Sequence, residues 1–367
     1  MNSSSVYALI LAGGAGTRFW PASRARRPKQ LLPLLGVDPL LLETVRRVLP
    51  LTGGAGRVLV ASGRHLAEPI AAILGEVPPE NFLVEPVPRN TAPCIGWAAA
   101  RVARIDPGAV VMVLPSDHHI RDVEGFRAVL ESAVASARRG VITAIGIRPT
   151  HPETGYGYIE LEVEAPRSRE PLPARRFVEK PDRGRAEAFV ASGRYLWNAG
   201  MFFFRAGDMM AALRTHQRAL HDAVEEIAAA GERGGAAEQE ALDRLFPSLP
   251  AVSIDHGVME HLETLAVIPG DFGWSDLGSW HSAWELADKD EHGNASPAGT
   301  IFIDAHHNQV VDLRRETARP RVIALIGVED LVVIETDDAL LVVPRDRAQD
   351  VKYVVEQLKA RGHGHLT

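Results

Sequence analysis

The sequence predicts an α/β fold: a mostly parallel sheet flanked by helices, then a small β module and a terminal helix. Three observations predict it. Short, near-continuous apolar runs alternate with helically spaced stretches through the first two-thirds of the 367-residue chain. Such runs suit strands buried on both faces, as in a parallel sheet covered by helices. A second set of short runs, closely spaced and separated by turn-prone residues, follows Gly299 and reads as all-β. Beyond it, Val351, Val354, Val355 and Leu358 fall at i, i+3, i+4 and i+7, one apolar helix face.

In chain order, the predicted strands are Val6–Leu11, Arg57–Ala61, Phe82–Val84, Ala109–Leu114, Val141–Ile147 and Met201–Arg205, with a helix over Phe126–Arg138. Ala165–Arg176, rich in Pro and Arg, reads as a surface excursion, and Ala228–Glu240 as a link between helices. Asp288–Gly299, with His292-Gly293-Asn294 and Pro297, is the expected boundary between a domain over 1–290 and a module over 298–367. The module's strands are Thr300–Asp304, Gln309–Leu313, Val322–Ile326, Leu331–Glu335 and Ala339–Val343, with the final helix starting at about Arg347.

Charge and composition narrow the function. A formal net charge of −7 leaves no broad basic field, so no nucleic-acid partner is expected, and phosphate must be bound by a local cluster. Cys94 is the single cysteine, which excludes an internal disulfide and fits a reducing compartment. No apolar run approaches the ~20 residues that cross a bilayer, and no Lys or Arg precedes the apolar Val6–Ala12. No membrane association and a cytoplasmic location are expected.

The first strand runs into Leu11-Ala12-Gly13-Gly14-Ala15-Gly16-Thr17-Arg18. Glycines let backbone N–H groups approach phosphate oxygens. The dinucleotide fingerprint fails because Phe19 stands where its last Gly belongs, and the Walker loop fails because Arg18 replaces its second Gly. Past Trp20-Pro21 and Ser23-Arg24 comes Pro28-Lys29-Gln30. Arg18 offers a planar donor fork and Lys29 a compact charge, both suited to a triphosphate. Asp117 follows a strand, at the end where α/β sheets bind ligands, and a carboxylate there suits Mg²⁺.

With these residues in view, the chain resembles the sugar nucleotidyltransferase family. The stretch Phe19-Trp20-Pro21-Ala22-Ser23-Arg24 through Pro28-Lys29-Gln30 is similar to its mannose-1-phosphate guanylyltransferase branch, also called GDP-mannose pyrophosphorylase. The likeness continues at Asn90-Thr91-Ala92-Pro93, at Leu114-Pro115-Ser116-Asp117-His118-His119 and at Phe177-Val178-Glu179-Lys180-Pro181-Asp182. It reappears at Trp197-Asn198-Ala199-Gly200-Met201-Phe202, at Phe272–Trp280 and at Asp338–Val342 with Arg345–Val351, covering nearly the whole chain.

The resemblance implies a Rossmann-like, mixed but mostly parallel sheet and a β-helix-like C-terminal module. It implies that GTP and α-D-mannose 1-phosphate give GDP-mannose and diphosphate, with Mg²⁺ as cofactor. By it, Arg18 and Lys29 act on the triphosphate and Asp117 and Asp276 hold the metal. Leu11, Ala12, Gly13, Gly14, Gly16, Thr17, Asn90, Thr91 and Ser116 belong to the nucleotide site. Gly155, Glu179, Lys180 and Asn198 belong to the sugar phosphate. Glu85 is proposed to read guanine, because a carboxylate accepts from the adjacent N1–H and N2–H₂ donors that adenine lacks. Adjacent His118 and His119 do not face one site and are not expected to bind metal. Trp197 and Phe202–Phe204 are expected in the core. Transfer to another hexose 1-phosphate, and a non-catalytic nucleotide-sugar-binding paralogue, stay open as alternatives. The sequence leaves room for a homodimer. Some relatives carry an added isomerase domain, and none is expected in a chain that stops soon after its short module.

Overall fold

The computed structural model describes residues 5–14, 16–166, 168–315 and 321–367. Ala15 of the glycine-rich segment and Arg167 of the Pro/Arg-rich excursion lie outside the described residues.

The chain forms two compact units, each assembled from separate stretches. The first comprises residues up to Gly13, Thr44–Ser116 and Ile120–Trp274; the second comprises Gly14–Glu43, Asp117–His119 and Ser275–Thr367.

The first unit is built on a nine-stranded sheet. Its strands are β1 (Val6–Leu11), β2 (Val58–Gly63), β3 (Phe82–Glu85), β4 (Val110–Pro115), β5 (Thr143–Ile147), β6 (Tyr158–Leu161), β7 (Leu172–Val178), β8 (Tyr195–Arg205) and β9 (Ala266–Gly270). Their order across the sheet is β3-β2-β1-β4-β8-β5-β9-β7-β6. The first four are mutually parallel, in registers such as Ala8↔Val58, Val6↔Val110 and Gly63↔Glu85. β8 runs antiparallel to both β4 and β5, which makes the sheet mixed. Leu9, Ile10, Val111, Val113, Ala144 and Ile145 are fully buried, as expected of strands covered on both faces.

Helices α1 (Leu40–Thr52), α2 (Arg64–Ile73), α3 (Thr91–Ile105) and α4 (Val123–Arg138) connect the early strands. The α4 start is local chemistry: the Asp122 carboxylate accepts from the Gly125 N–H at 2.9 Å, and a Cβ at residue 125 would collide with it. Helices α5 (Arg183–Ser192), α6 (Ala206–His216), α7 (Arg218–Gly231), α8 (Gly235–Leu245) and the one-turn α9 (Ile254–Gly257) follow.

Three expectations change. The helix link over Ala228–Glu240 shrinks to residues 232–234, because the alanines continue α7 and α8 and only Gly234, at φ +116°, breaks them. The strand expected at Met201–Arg205 extends back to Tyr195, through Gly200 at φ +66°. A register irregularity between Ala144 and Gly146 on β5 accompanies it, and a turn-like sequence inside a strand is how such an irregularity reads. The last residues of Ala165–Arg176 are not an excursion but part of β7, whose exposed Pro173, Arg175 and Arg176 conceal its apolar pattern. Phe202, Phe203, Phe204 and Trp197 are core, as expected.

In the second unit, α10 (Trp280–Leu286) precedes β10 (Ile301–Ile303), β11 (Gln309–Asp312), β12 (Ala324–Ile326), β13 (Leu331–Glu335) and β14 (Leu340–Pro344). Parallel pairs β10–β12 and β11–β13 stack short rungs, and β14 closes antiparallel on β13. Helix α11 (Val351–Ala360) buries Val351 and Val355. They join one cluster with Phe19, Trp20, Leu32, Trp280, Val332 and Ile334. Trp280 Nε1 donates to the Trp20 carbonyl at 3.1 Å, and Trp20 Nε1 to the Leu366 carbonyl at 2.8 Å.

Candidate active site

Because β1 to β4 are parallel, their carboxyl ends share one edge of the sheet, where open α/β sheets bind ligands. Ala12 N–H donates to the Ala61 carbonyl at 2.8 Å, and Ser116 N–H to the Leu11 carbonyl at 3.1 Å. Leu11, Ala12 and Ser116 are thereby held side by side, with Gly13 exposed beyond them. Ser116 Oγ is buried without a hydrogen-bond partner. Glu85 closes β3 on the same edge, aligned with Gly63. Its Oε1 is likewise buried and unpartnered, and burial pushes its carboxyl up to about 7.

Asn90 and Thr91 are placed differently from free pocket groups. Asn90, at φ +63°, caps α3 by accepting from Thr91 N–H at 2.9 Å. Thr91 Oγ1 accepts from Ile254 N–H at 2.9 Å. Their side chains shape the start of α3 and hold the 252–254 segment.

A second group gathers where β6 begins and β7 ends. Lys180 N–H donates to the Tyr156 carbonyl at 3.2 Å, and Asn198 N–H to the Gly157 carbonyl at 2.8 Å. Glu179 is mostly buried and its Oε1 accepts from Lys180 Nζ at 2.8 Å. A Cβ on residue 157 would lie 2.5 Å from Glu179 Oε2, so a side chain there would push the carboxylate aside. Gly155 N–H is held by Glu153 Oε1 at 2.7 Å, so this backbone is fixed as well.

The second unit holds the cations and the two acidic candidates. Gly16, at φ +56°, packs directly on Lys29: a Cβ at residue 16 would stand 2.6 Å from that of Lys29. Thr17 and Arg18 then enter a single 3-10 turn, with Arg18 exposed, and Gln30 Nε2 donates to the Gly14 carbonyl at 3.4 Å. Lys29 is 5% exposed. Its Nζ donates to Asp117 Oδ2 at 2.8 Å and to the Asp276 backbone carbonyl, and lies 5.8 Å from the Phe19 ring centroid. One ammonium thus ties together both acidic residues, one through its side chain and the other through its backbone. Burial alone would raise the Asp117 carboxyl, but the charges of Lys29 and His118 and the Lys29 hydrogen bond outweigh it and hold the carboxyl below its usual value.

The Asp117 side chain is one-third exposed. Among the described residues, no cluster of three or more His, Cys, Asp or Glu side chains forms a metal cage. A partly exposed carboxylate of this kind, completed by phosphate oxygens and water, suits a hard divalent cation.

The family model described as "Nucleotidyl transferase" matches residues 7–293, and "MannoseP isomerase/GMP-like beta-helix domain" matches residues 301–358. The chain belongs to the nucleotidyl transferase family. This transferase is 42% identical to "Xanthan biosynthesis protein XanB" of Xanthomonas campestris pv. campestris, over 99% of its own length and 75% of the relative's. It is 38% identical to the "Mannose-1-phosphate guanylyltransferase" of Escherichia coli (strain K12), over 100% of its length and 76% of the relative's. A crystal structure described as that of a "mannose-1-phosphate geranyltransferase" from Thermus thermophilus superposes with a TM-score of 0.83 at 36% identity, covering 97% of this transferase and 99% of that chain. Both the α/β fold and the β-helix-like module expected from sequence are present. Among the described residues of this transferase, no helix is long and apolar enough to cross a membrane.

Sequence reading missed one member of this second group, at Asn198. Asp255 Oδ1 accepts from Asn198 Nδ2 at 2.9 Å. Its only local signal is Ser253-Ile254-Asp255, which reads as an ordinary helix start: Ser253 Oγ accepts from His256 N–H at 3.2 Å.

Proposed function

We propose that the chain is a mannose-1-phosphate guanylyltransferase, converting GTP and α-D-mannose 1-phosphate to GDP-mannose and diphosphate with Mg²⁺. The observation that carries this reading is the buried Lys29, anchored by Asp117 and Asp276 directly against the glycine-rich segment. Both reactants are anionic, so the chemistry needs fixed positive charge more than it needs a base. A phosphate oxygen of the sugar phosphate, ionised at neutral pH, attacks the α-phosphorus in line. The new P–O bond forms as the bond to the β-phosphate bridge breaks, and its electrons leave on diphosphate. Arg18 and Lys29 counter the charge that builds there. Asp117 and Asp276 would hold Mg²⁺, which supplies further charge neutralisation on the phosphate oxygens. Glu179, Lys180 and Asn198 orient the sugar phosphate. Diphosphate release measured across a panel of triphosphates and sugar 1-phosphates tests the assignment. A preference for a pair other than GTP and mannose 1-phosphate rejects it.

Glu85 is the proposed reader of guanine. Its carboxyl, at about 7 in the free protein, must be ionised to accept both guanine donors. GTP binding therefore releases a proton, and the GTP:ATP preference falls as pH drops below about 7. Taking the ratio cancels the titration common to both triphosphates. Glu85→Ala lowers the preference by about 10-fold or more, the cost of leaving a buried donor unpaired. Competition assays from pH 6 to 8 read both effects, and an unchanged preference in an active variant excludes Glu85.

Lys180→Ala weakens sugar-phosphate binding by about 10-fold or more while changing GTP affinity much less, as expected for one lost charge-assisted contact. Lys180 sits among the sugar-side residues, with its chain largely exposed. Calorimetric titration of each ligand checks this, and a selective loss of GTP binding contradicts it.

A further inference from the structure

The sugar-side group contains a carboxylate that the reaction above leaves unused. Asp255 lies in α9, and the segment before it is fastened to α3 twice. Ala92 N–H donates to the Val252 carbonyl at 3.1 Å, and Ile254 N–H donates to Thr91 Oγ1. Asp255 is therefore carried on fixed backbone.

Its Oδ1 binds Asn198 Nδ2, while Asn198 Oδ1 accepts from Gly200 N–H at 3.0 Å. With both ends of the amide engaged, its plane and its sense are set, leaving one N–H in a defined direction. Glu179 is the other carboxylate in the group. The two repel: burial first, and the Glu179 charge second, push the Asp255 carboxyl up to about 6, against the opposing pull of its hydrogen bonds and of Lys180. Lys180 is spent on Glu179. The remaining nearby groups do not relieve Asp255. His256 and Glu260, on the same stretch of chain, pair with each other at 3.1 Å. Two close acceptors without full compensation favour a ligand that brings neutral O–H donors. A hexose does so, and its phosphate lies with Lys180.

We propose that Asp255 is a specificity-determining residue for the sugar: Oδ1 locks the Asn198 amide, and the carboxylate accepts a hexose hydroxyl hydrogen alongside Glu179. This inference rests on the sugar assignment of Glu179 and Asn198 made above. The pocket then distinguishes hexoses by whether two hydroxyls reach both carboxylates together.

The test compares wild type, Asp255→Asn and Asp255→Ala. The asparagine keeps an oxygen for the Asn198 amide, so it separates charge from folding. Expected is a rise of about 10-fold or more in KM for mannose 1-phosphate in Asp255→Ala, with KM for GTP within about 2-fold and an intermediate value for Asp255→Asn. GDP-mannose, which has no group of its own titrating near pH 6, should bind wild type more weakly below about pH 6, where Asp255 protonates. That extra loss should be absent from Asp255→Asn when the two proteins are titrated in parallel. Unchanged sugar KM in Asp255→Ala, equal losses for both substrates, or parallel pH profiles for wild type and Asp255→Asn overturn the inference alone. Failure of wild type to bind GDP-mannose overturns the functional reading, and this inference with it.

Discussion

Lys29→Ala should lower kcat/KM by about 10²-fold to 10³-fold in a protein that still folds, the cost typical of losing one transition-state donor. The side chain is buried, and an ammonium is held there only because Asp117 and the Asp276 carbonyl receive it. Removing it takes away a positive charge beside the glycine-rich segment and also the partner that holds the Asp117 carboxyl low. Lys29→Arg should rescue little, since a longer planar fork does not reproduce the compact ammonium held between the Asp117 carboxylate and the Asp276 carbonyl. The stability cost stays below that of a fully buried pair because Asp117 is one-third exposed. Diphosphate release and thermal melting, measured together, check the expectation. Turnover near wild type in a folded variant would remove Lys29 from the mechanism.

Ending the chain after Pro297 should abolish turnover, although every proposed site residue remains. The loss takes Val332, Ile334, Leu341, Val351 and Val355 out of the cluster that covers Phe19, Trp20 and Leu32. The segment carrying Arg18 and Lys29 then has apolar side chains facing water, at about 1.5–3 kcal/mol for each large one stripped of its cover. Asp117 and Asp276 lose their fixed ammonium as a result. The nine-stranded sheet has its own core and should keep its circular dichroism. A truncated protein with normal turnover would show that the segment carrying Arg18 and Lys29 does not depend on the β module.

The sheet was legible because burial on both faces writes itself into sequence as unbroken apolar runs. Val6–Leu11 and Leu331–Glu335 match the observed strands residue for residue. The rule has exceptions: β6 and β9, short and well buried, were not among the predicted strands, while β7 and the first half of β8 were obscured by an exposed face or an interrupted ladder. At the candidate site, glycine-rich spacing and charged residues after strands pointed to Arg18, Lys29, Asp117 and Glu85. Asp255 gave no such signal, because an acidic residue in a first helical turn is ordinary. Nor does periodicity reveal that Gly14–Glu43 packs with residues beyond 275. That association depends on side chains far apart in the chain, each unremarkable in its own window.

The bond from Trp20 Nε1 to the Leu366 carbonyl spans 346 residues, and Ala25 N–H donates to the carbonyl of Thr367. Closing so long a loop carries an entropy cost that only late contacts can offset. During synthesis the early parallel strands can pair while the ribosome is still working. The segment bearing Lys29 cannot complete these contacts until residues 366 and 367 have emerged. A growing chain can thus pair its early strands before it fixes the segment that carries Arg18 and Lys29.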